Sequence, residues 1–371
     1  MLEIKKKHNC SGCSACFNIC PKGCIKMEED SEGFCYPKID KTNCINCGLC
    51  EKVCPIINKQ KIEPTQKLRA FACINKNEEI RLKSSSGGAF SAFAEYVIEN
   101  GGVVFGAGFN SCFNVCHQFC ETKEDLEKLR ASKYVQSKIG ETFKQAKEFL
   151  NQGRLVYFSG TACQIGGLKS YLRKDYPNLI TQDLICHGVP SPLVWEKYVN
   201  LKTNEGKLKL SKITFRDKST GWQQYSFSMK FEDENCGEYK KSHFNEPYMN
   251  MFLYNKILRP SCHKCSFKGN NRIADITLAD FWGGVYKKYA PHFNDKKGVS
   301  LVLIHSLKGQ EVFNKLADKL NFVEVNPKTA LKANPMVKKS TIKSPSRYFA
   351  MKALNKLPFE KFVKRYGKVL L

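Results

Sequence analysis

Two copies of one cysteine pattern near the start of the chain constrain its fold and chemistry more than any other feature. Each copy has three cysteines separated by two residues, then a fourth after three more residues, and a proline directly after it. The two copies comprise Cys10, Cys13, Cys16 and Cys20 with Pro21, and Cys44, Cys47, Cys50 and Cys54 with Pro55. This is the spacing with which bacterial proteins bind a pair of 4Fe–4S clusters. The pattern therefore predicts a domain that carries electrons one at a time.

The spacing also predicts which cysteines share a cluster. In such a doubled run, the fourth cysteine of each copy ligates the cluster held by the other copy. We expect one cluster on Cys10, Cys13, Cys16 and Cys54, and the second on Cys20, Cys44, Cys47 and Cys50. Between the copies, Cys24–Met27 and Cys35–Ile39 flank a polar stretch and predict a β-hairpin. Zinc ribbons use cysteine pairs that lie well apart, and disulfides do not easily link cysteines packed this densely, so both are disfavoured.

Length and charge limit the remaining possibilities. A chain of 371 residues is too long for a dicluster domain alone and predicts two or three domains. We see no apolar signal segment and no run of the ~18 apolar residues that a membrane span needs. A reducing compartment would keep the 19 cysteines free to bind clusters, so we expect the cytoplasm of an anaerobe. The net charge of +25 comes without a nucleic-acid motif, so no nucleic-acid partner is expected. It suits an acidic electron-transfer partner such as a ferredoxin or flavodoxin, and a solvated lysine-rich surface explains it equally well.

The order of predicted elements divides the chain into four parts. Residues 1–62 form an α+β ferredoxin-like dicluster domain, which a polar linker at 58–68 joins to the rest. Strands and helices alternate from residue 70 to 202 and more strands follow, which predicts an α/β domain with a mixed sheet. We divide it into residues 68–150 and 151–335, and expect its last helix at Gly309–Leu320. Residues 336–371 form a basic tail that packs on its own domain or on a partner subunit, or docks on a membrane surface.

Four further cysteines have contexts that suggest a second centre. Cys163 opens a helix directly after a strand, Cys186 ends the next strand, and Cys262 and Cys265 are separated by two residues. Open α/β sheets bind ligands at the carboxyl ends of their strands, so these thiols can converge on one metal centre. The spacing allows zinc or a 4Fe–4S cluster. Alternatively, Cys163 and Cys186 are buried small apolar residues.

Two polar segments are candidates for a ligand site. Ser86, Gly87 and Gly88 precede a predicted helix, where exposed backbone N–H groups suit a phosphate. The alternative is a simple helix cap with close packing at the glycines. The segment 132–137 contains a lysine and an aromatic residue and by itself indicates only a loop. Cys112, Cys116 and Cys120 are predicted on one face of a strand, too far apart for one metal.

Six motifs in a fixed order carry a resemblance to a known family. They are Ser86-Gly87-Gly88, Ser132-Lys133-Tyr134-Val135-Gln136-Ser137, Gly160-Thr161-Ala162-Cys163-Gln164, Cys186-His187-Gly188, Cys262-His263-Lys264-Cys265, and Ala274-Asp275 through Asp280-Phe281-Trp282-Gly283. Together they resemble the beta subunit family of coenzyme F420 hydrogenases and dehydrogenases, over about residues 68–305. The resemblance implies a flavin-binding α/β domain that holds FAD and its own 4Fe–4S cluster.

The resemblance assigns roles to individual residues. It implies that Cys163, Cys186, Cys262 and Cys265 bind a third cluster. It implies that FAD is bound by Ser86, Gly87, Gly88, Ser132, Lys133, Tyr134 and Gln136. Asp275, Asp280 and Trp282 match a motif near the cluster. Ala162 and Ala279 stand where the family has proline and glycine, which changes the local backbone but keeps the cysteines.

The combined interpretation is an iron–sulfur flavoprotein oxidoreductase. Electrons would pass between two N-terminal clusters, a third cluster and FAD, and then to or from a small-molecule redox substrate, coenzyme F420 or another donor or acceptor. The catalytic residues are not readable from the sequence, and a homo-oligomer is left open. The alternative is a non-catalytic ferredoxin-type subunit that transfers electrons for a separate enzyme.

Overall fold

The computed structural model describes residues 2–59 and 66–368. The N-terminal part contains two short helices, α1 (Ala15–Ile19) and α2 (Leu49–Lys52), one in each cysteine run. Between them, β1 (Ile25–Glu29) and β2 (Cys35–Ile39) pair in antiparallel register, which confirms the predicted hairpin. Six residues of the expected linker, 60–65, lie outside the described residues.

The rest of the chain is built on one mixed sheet of eight strands. In chain order, these strands are β3 (Arg69–Asn75), β4 (Val103–Phe109), β5 (Val115–Cys120), β6 (Val156–Ser159), β7 (Leu179–Leu184), β11 (Ile276–Asp280), β12 (Ser300–Ile304) and β13 (Leu320–Val325). Three more strands, β8 (Leu210–Asp217), β9 (Ser226–Phe231) and β10 (Glu238–Ser242), form a separate antiparallel sheet. The mixed sheet confirms the predicted α/β architecture, and it runs through both predicted parts, 68–150 and 151–335.

The centre of the large sheet is parallel and its edges are antiparallel. The strand order is β13-β3-β12-β11-β7-β6-β4-β5, in which β11, β7, β6 and β4 run parallel. Central parallel strands are covered on both faces, and Val156, Tyr157 and Phe158 of β6 are accordingly all buried. Parallel strands place their carboxyl ends along one edge, where α/β proteins bind ligands.

The helices cover this sheet and fill the space between the two sheets. They are α3 (Glu78–Lys83), α4 (Ala89–Glu99), α5 (Leu126–Leu129), α6 (Thr142–Asn151), α7 (Ala162–Leu172), α8 (Pro192–Lys202), α9 (Pro247–Leu253), α10 (Tyr286–Tyr289), α11 (Leu307–Asn314), α12 (Pro327–Ala330), α13 (Pro345–Ala353) and α14 (Phe359–Tyr366). In the part of the chain that the structure describes, helices reach at most 11 residues, against about 20 for a membrane-spanning helix.

The basic tail is part of the core of the smaller sheet. Ala350, Leu354 and Phe362 are 0–1% exposed and belong to the same apolar cluster as Trp195. The tail therefore packs on its own domain, as one of the predicted alternatives had it.

Two predicted elements were wrong. The helix expected over Gly309–Leu320 ends at Asn314, and Leu320 instead begins β13, which pairs with β3 at the sheet edge. Cys112 lies in the turn before β5, so it does not share a strand with Cys116 and Cys120.

Candidate functional site

The first group of N-terminal cysteines combines three residues at and before α1 with one residue just after α2. Its members are Cys10, Cys13, Cys16 and Cys54. Burial, together with the neighbouring thiols of Cys10 and Cys54, raises the pKa of Cys13 to about 12. Burial and the same neighbours also raise the pKa of Cys16. The thiols are thus close enough to act on one another, and iron would supply the positive charge that their deprotonation needs.

The second N-terminal group lies further from the protein interior. Cys20, Cys44, Cys47 and Cys50 line a cavity of about 130 Å³ made only by residues of the dicluster domain. Cys47 is exposed, and Ile45 beside it is 58% exposed. Cys24, which the spacing did not place in a cluster, also lines this cavity, with its Sγ 3.4 Å from that of Cys20. The two groups are therefore separate, and the second is the outer one.

The third group is assembled from three distant segments. Cys163 lies in the first turn of α7, Cys186 follows β7, and Cys262 and Cys265 come from a turn at residues 260–264. All four line one cavity, which we call the third centre. Burial raises the pKa values of Cys163 and Cys186 and raises that of Cys262 to about 12. The structure thus brings the four cysteines together around one space.

The four thiols of the third centre suit either a 4Fe–4S cluster or a zinc ion. Two cations adjoin the cavity, Arg272 and Lys268, and Lys268 Nζ donates a hydrogen bond of 2.6 Å to the carbonyl of Cys186. Such cations suit the net negative charge of a thiolate-bound cluster.

A cavity of about 480 Å³ lies at the carboxyl ends of the parallel strands. Its size is within the range of ligand sites, about 300–1,000 Å³. Ser159, Leu184 and Asp280, at the ends of β6, β7 and β11, form its floor. It shares one wall with the third centre, made of Thr161, Cys186, His187, Gly188 and Val189. A ligand bound here would lie next to the third centre.

The turn before α4 forms another wall of this large cavity. Ser86 and Gly88 line it, and Gly88 has a φ of +86°. Gly87 does not line the cavity. It packs instead against backbone, since a Cβ there would lie 2.3 Å from the carbonyl oxygen of Cys73 and 2.5 Å from the nitrogen of Ser300. The turn therefore suits close approach of a phosphate to the N-terminus of α4, with Gly87 supporting it from behind.

The segment 132–137 is divided between two environments. Ser132, Lys133 and Tyr134 line the large cavity, and Ser132 N donates to Ser85 Oγ at 2.8 Å, which joins the two predicted flavin segments. Burial, with a smaller effect of Arg130, lowers the pKa of Lys133 to about 7.

Gln136 is a correction to the predicted site. Its side chain does not line the large cavity but donates to the carbonyl of Ser11 at 3.1 Å and accepts from Arg259 at 3.0 Å. Val135 and Ser137, on either side of it, line the large cavity, so the chain turns the side chain of Gln136 away from that cavity. Gln136 thus faces the dicluster domain.

Arg216 was missed by the sequence reasoning. It lines the large cavity with a side chain only 2% exposed, and it forms an ion pair of 2.8 Å with Asp280. Its guanidinium lies over the rings of Tyr225, at 4.2 Å, and Trp282, at 5.4 Å, while its Nε has no partner. An isolated arginine in strand β8 gives no local signal of such a role.

The motif that ends in Asp280 and Trp282 is also placed differently from expectation. Both residues line the large cavity rather than the third centre. Asp275 is buried elsewhere, where it accepts hydrogen bonds from Thr181 and Ser306. The motif thus contributes to the ligand cavity and to the sheet, not to the cluster.

Two family models match parts of the chain. Residues 9–56 match the model of the 4Fe-4S dicluster domain. Residues 153–329 match the model of the C terminus of the coenzyme F420 hydrogenase/dehydrogenase beta subunit. The dicluster model and the cysteine groups indicate an iron–sulfur protein, and the second model relates its C-terminal part to oxidoreductase subunits. Together the two matches confirm the resemblance seen in the motifs, to the beta subunit family of coenzyme F420 hydrogenases and dehydrogenases with a dicluster domain in front.

Two individual proteins are similar to parts of this chain. A coenzyme F420-dependent sulfite reductase of Methanocaldococcus jannaschii is 29% identical over 204 residues, which are 53% of this chain and 30% of that protein. The chain thus spans about a third of the length of this relative. A chain from the F420-reducing NiFe hydrogenase complex of Methanosarcina barkeri, solved as a xenon derivative, matches with a TM-score of 0.47 and 20% identity, covering 77% of this chain and 99% of that chain.

Proposed function

We propose that the chain is an FAD-dependent iron–sulfur oxidoreductase with three 4Fe–4S clusters. The wall shared by the third centre and the large cavity is the observation that carries this proposal. It would keep a cofactor in the large cavity within a few residues of the cluster ligand Cys186. A bound flavin would exchange a hydride with a substrate and single electrons with a cluster. The protein's part is to hold the two groups side by side.

The residues of the large cavity suit an anionic cofactor. The backbone N–H groups at the start of α4 face the turn at Ser86 and Gly88, and a helix N-terminus attracts phosphate. Lys218 holds this turn, because its Nζ donates to the carbonyl oxygens of Arg81 at 2.6 Å and Ser86 at 2.9 Å. Lys133 and Arg216 add positive charge at the cavity wall, which supports binding of a flavin that becomes anionic on reduction.

The proposed substrate is coenzyme F420 or another small two-electron donor or acceptor. The support is the name of the matched family and that of the sulfite reductase relative, both of which refer to this coenzyme. Anaerobic mixing of the reduced protein with oxidised F420 should bleach the coenzyme's absorbance. If F420 is unchanged while an artificial two-electron acceptor is reduced, the substrate is a different one.

Electrons would reach the chain from an acidic one-electron carrier in the cytoplasm. Lys22, Lys41 and Lys52 are exposed in the segments that carry the outer cysteine group, and the whole chain has a net charge of +25. Opposite charge on the carrier would steer the encounter.

The central experiment measures the cofactor content of protein purified without oxygen. We expect about twelve iron and sulfide and one FAD per chain, since each 4Fe–4S cluster contributes four irons. Cys163→Ser should lower iron by about four. Cys112→Ser, at an exposed cysteine outside the three groups, is the matched control and should leave iron unchanged. About eight irons without flavin would refute the enzyme proposal and support a ferredoxin-type electron-transfer subunit.

A further inference from the structure

Arg259 is a completely buried arginine at the junction between the dicluster domain and the third centre. It is 0% exposed and directly precedes the turn that carries Cys262 and Cys265. Its Nε donates to the carbonyl of Cys10 at 2.9 Å, and its Nη2 donates to the carbonyl of Cys35 at 2.9 Å. The same Nη2 lies 3.7 Å from the Sγ of Cys10. Arg259 therefore touches the first cysteine group directly.

The charge of Arg259 has no carboxylate partner among the described residues. Its hydrogen bonds go to two carbonyls, to the amide oxygen of Gln136 and to a sulfur, and its guanidinium lies 4.4 Å from the centre of the Tyr36 ring. Burying an unpaired cation is costly unless an opposite charge compensates it. The thiolates of a bound cluster are the negative charge within reach.

Two more contacts join the first cysteine group to the third centre. Gly167 of α7 packs so closely on Cys13 that a Cβ at this glycine would lie 2.8 Å from the Cβ and 3.0 Å from the Sγ of Cys13. His8, Ser11 and Ile56 of the dicluster domain line the third-centre cavity itself. The cavity of the outer group, in contrast, is lined only by residues between 20 and 51. The first group is thus the inner one.

We propose that Arg259 is a positioning residue that raises the reduction potential of the cluster bound by the inner group, Cys10, Cys13, Cys16 and Cys54. This inference rests on the proposed binding of 4Fe–4S clusters by both N-terminal groups. A cluster becomes more negative when it is reduced, so a fixed positive charge and a hydrogen bond to its sulfur stabilise the reduced form. An electron on the N-terminal pair would then reside on the inner cluster, which adjoins the third centre.

The test compares midpoint potentials in full-length protein, measured by anaerobic redox titration followed by electron paramagnetic resonance. In Arg259→Gln we expect iron to stay at the wild-type value. At a fixed ambient potential, the ratio of reduced to oxidised inner cluster should fall about tenfold, a shift of about 59 mV for one electron. The outer cluster, whose cavity Arg259 does not line, should keep its potential.

A second variant keeps the arginine and changes its charge balance, with the loss of the bond from Gln136 Nε2 to the carbonyl of Ser11. Gln136→Glu places a carboxylate against Nη1 of Arg259, with which Gln136 now shares a hydrogen bond of 3.0 Å. Neutralising the guanidinium in this way should lower the same midpoint potential. This variant decides the question if Arg259→Gln fails to fold or to retain iron.

Arg347→Gln is the matched control at the same junction. Arg347 is 4% exposed and donates to the carbonyl of Leu258 at 2.7 Å and to Glu32 at 2.6 Å, so its loss removes an equally buried arginine that bonds to no cysteine. Its midpoint potentials should match the wild type. Unchanged potentials with full iron in Arg259→Gln, or in Gln136→Glu if that variant must decide, would overturn the role of Arg259. Wild-type iron well below eight would instead overturn the proposed clusters.

Discussion

The ion pair between Arg272 and Asp183 supports the strand end that carries Cys186, and its removal gives the sharpest stability prediction. The two side chains are 3% and 0% exposed, and Nε of Arg272 lies 2.8 Å from Oδ2 of Asp183. Nη2 of Arg272 also donates to the carbonyl of Leu184 at 3.0 Å, two residues before Cys186. Arg272→Met would leave the carboxylate of Asp183 buried without its cation.

The magnitude follows from this burial. Breaking a buried pair by removing one partner costs about 3–5 kcal/mol, because the remaining charge is uncompensated. The exposed pair of Arg69 and Glu324 is the matched control, with side chains 39% and 50% exposed and a distance of 2.7 Å. An exposed pair contributes about 0–1 kcal/mol, so Arg69→Met should be nearly neutral. The shortest distances in the two pairs are similar, and burial, with the added bond of Arg272 to Leu184, separates the expected losses.

The assay is thermal unfolding of both variants, followed by circular dichroism without oxygen. We expect Arg272→Met to lower Tm by about 5–10 °C and Arg69→Met by about 2 °C or less. Burial raises the pKa of Asp183, and Arg272 opposes that rise. A carboxyl whose folded pKa exceeds its unfolded pKa costs stability once pH rises above the unfolded value, about 3.9 for aspartate, so the deficit of Arg272→Met should grow as pH rises above that value. Equal Tm losses in the two variants would refute the reasoning.

Three further predictions concern the large cavity and the outer cysteine group. Gly87→Ala should weaken FAD binding at least tenfold while iron is retained, because the new Cβ would lie 2.3 Å from the carbonyl oxygen of Cys73; flavin and iron assays on one sample check this. FAD affinity of the wild type should fall as pH rises through about 7, where Lys133 loses its proton, and Lys133→Met should remove this pH dependence in fluorescence titrations. Reduction by an acidic carrier should slow steeply with added salt in stopped-flow measurements, and Lys41→Gln should flatten that dependence.

Features encoded by local spacing were predictable from the sequence. The cysteine runs, the hairpin between them and the strand–helix alternation each depend on residues within a few positions of one another. The sequence also predicts that Cys163 and Cys186 converge on one centre, because each lies at the end of a buried strand. Parallel strands bring such ends to one edge whatever lies between them in the chain.

Features that depend on distant partners were not predictable. Arg259 bonds to Cys10, 249 residues away, and no pattern around it distinguishes it from a surface arginine. The resemblance places Gln136 at the flavin because it lies in the same short motif as Tyr134, but its hydrogen bonds to Ser11 and Arg259, 125 and 123 residues away, hold it toward the other domain. At β13, the four-residue spacing of Leu316 and Leu320 mimics a helix, whereas pairing with β3 makes Leu320 the start of a strand.

The pairing of β3 with β12 and β13 has a consequence for biosynthesis. The doubled cysteine run is complete at Cys54, but the sheet that carries α7 cannot close until Val325 has been made. At 5–20 residues per second, those roughly 270 residues take about 14–54 s. For at least the part of that interval before α7 has been made, Gly167 and its neighbours cannot cover Cys13. The thiols of the inner cysteine group are therefore more accessible on the nascent chain than in the folded protein.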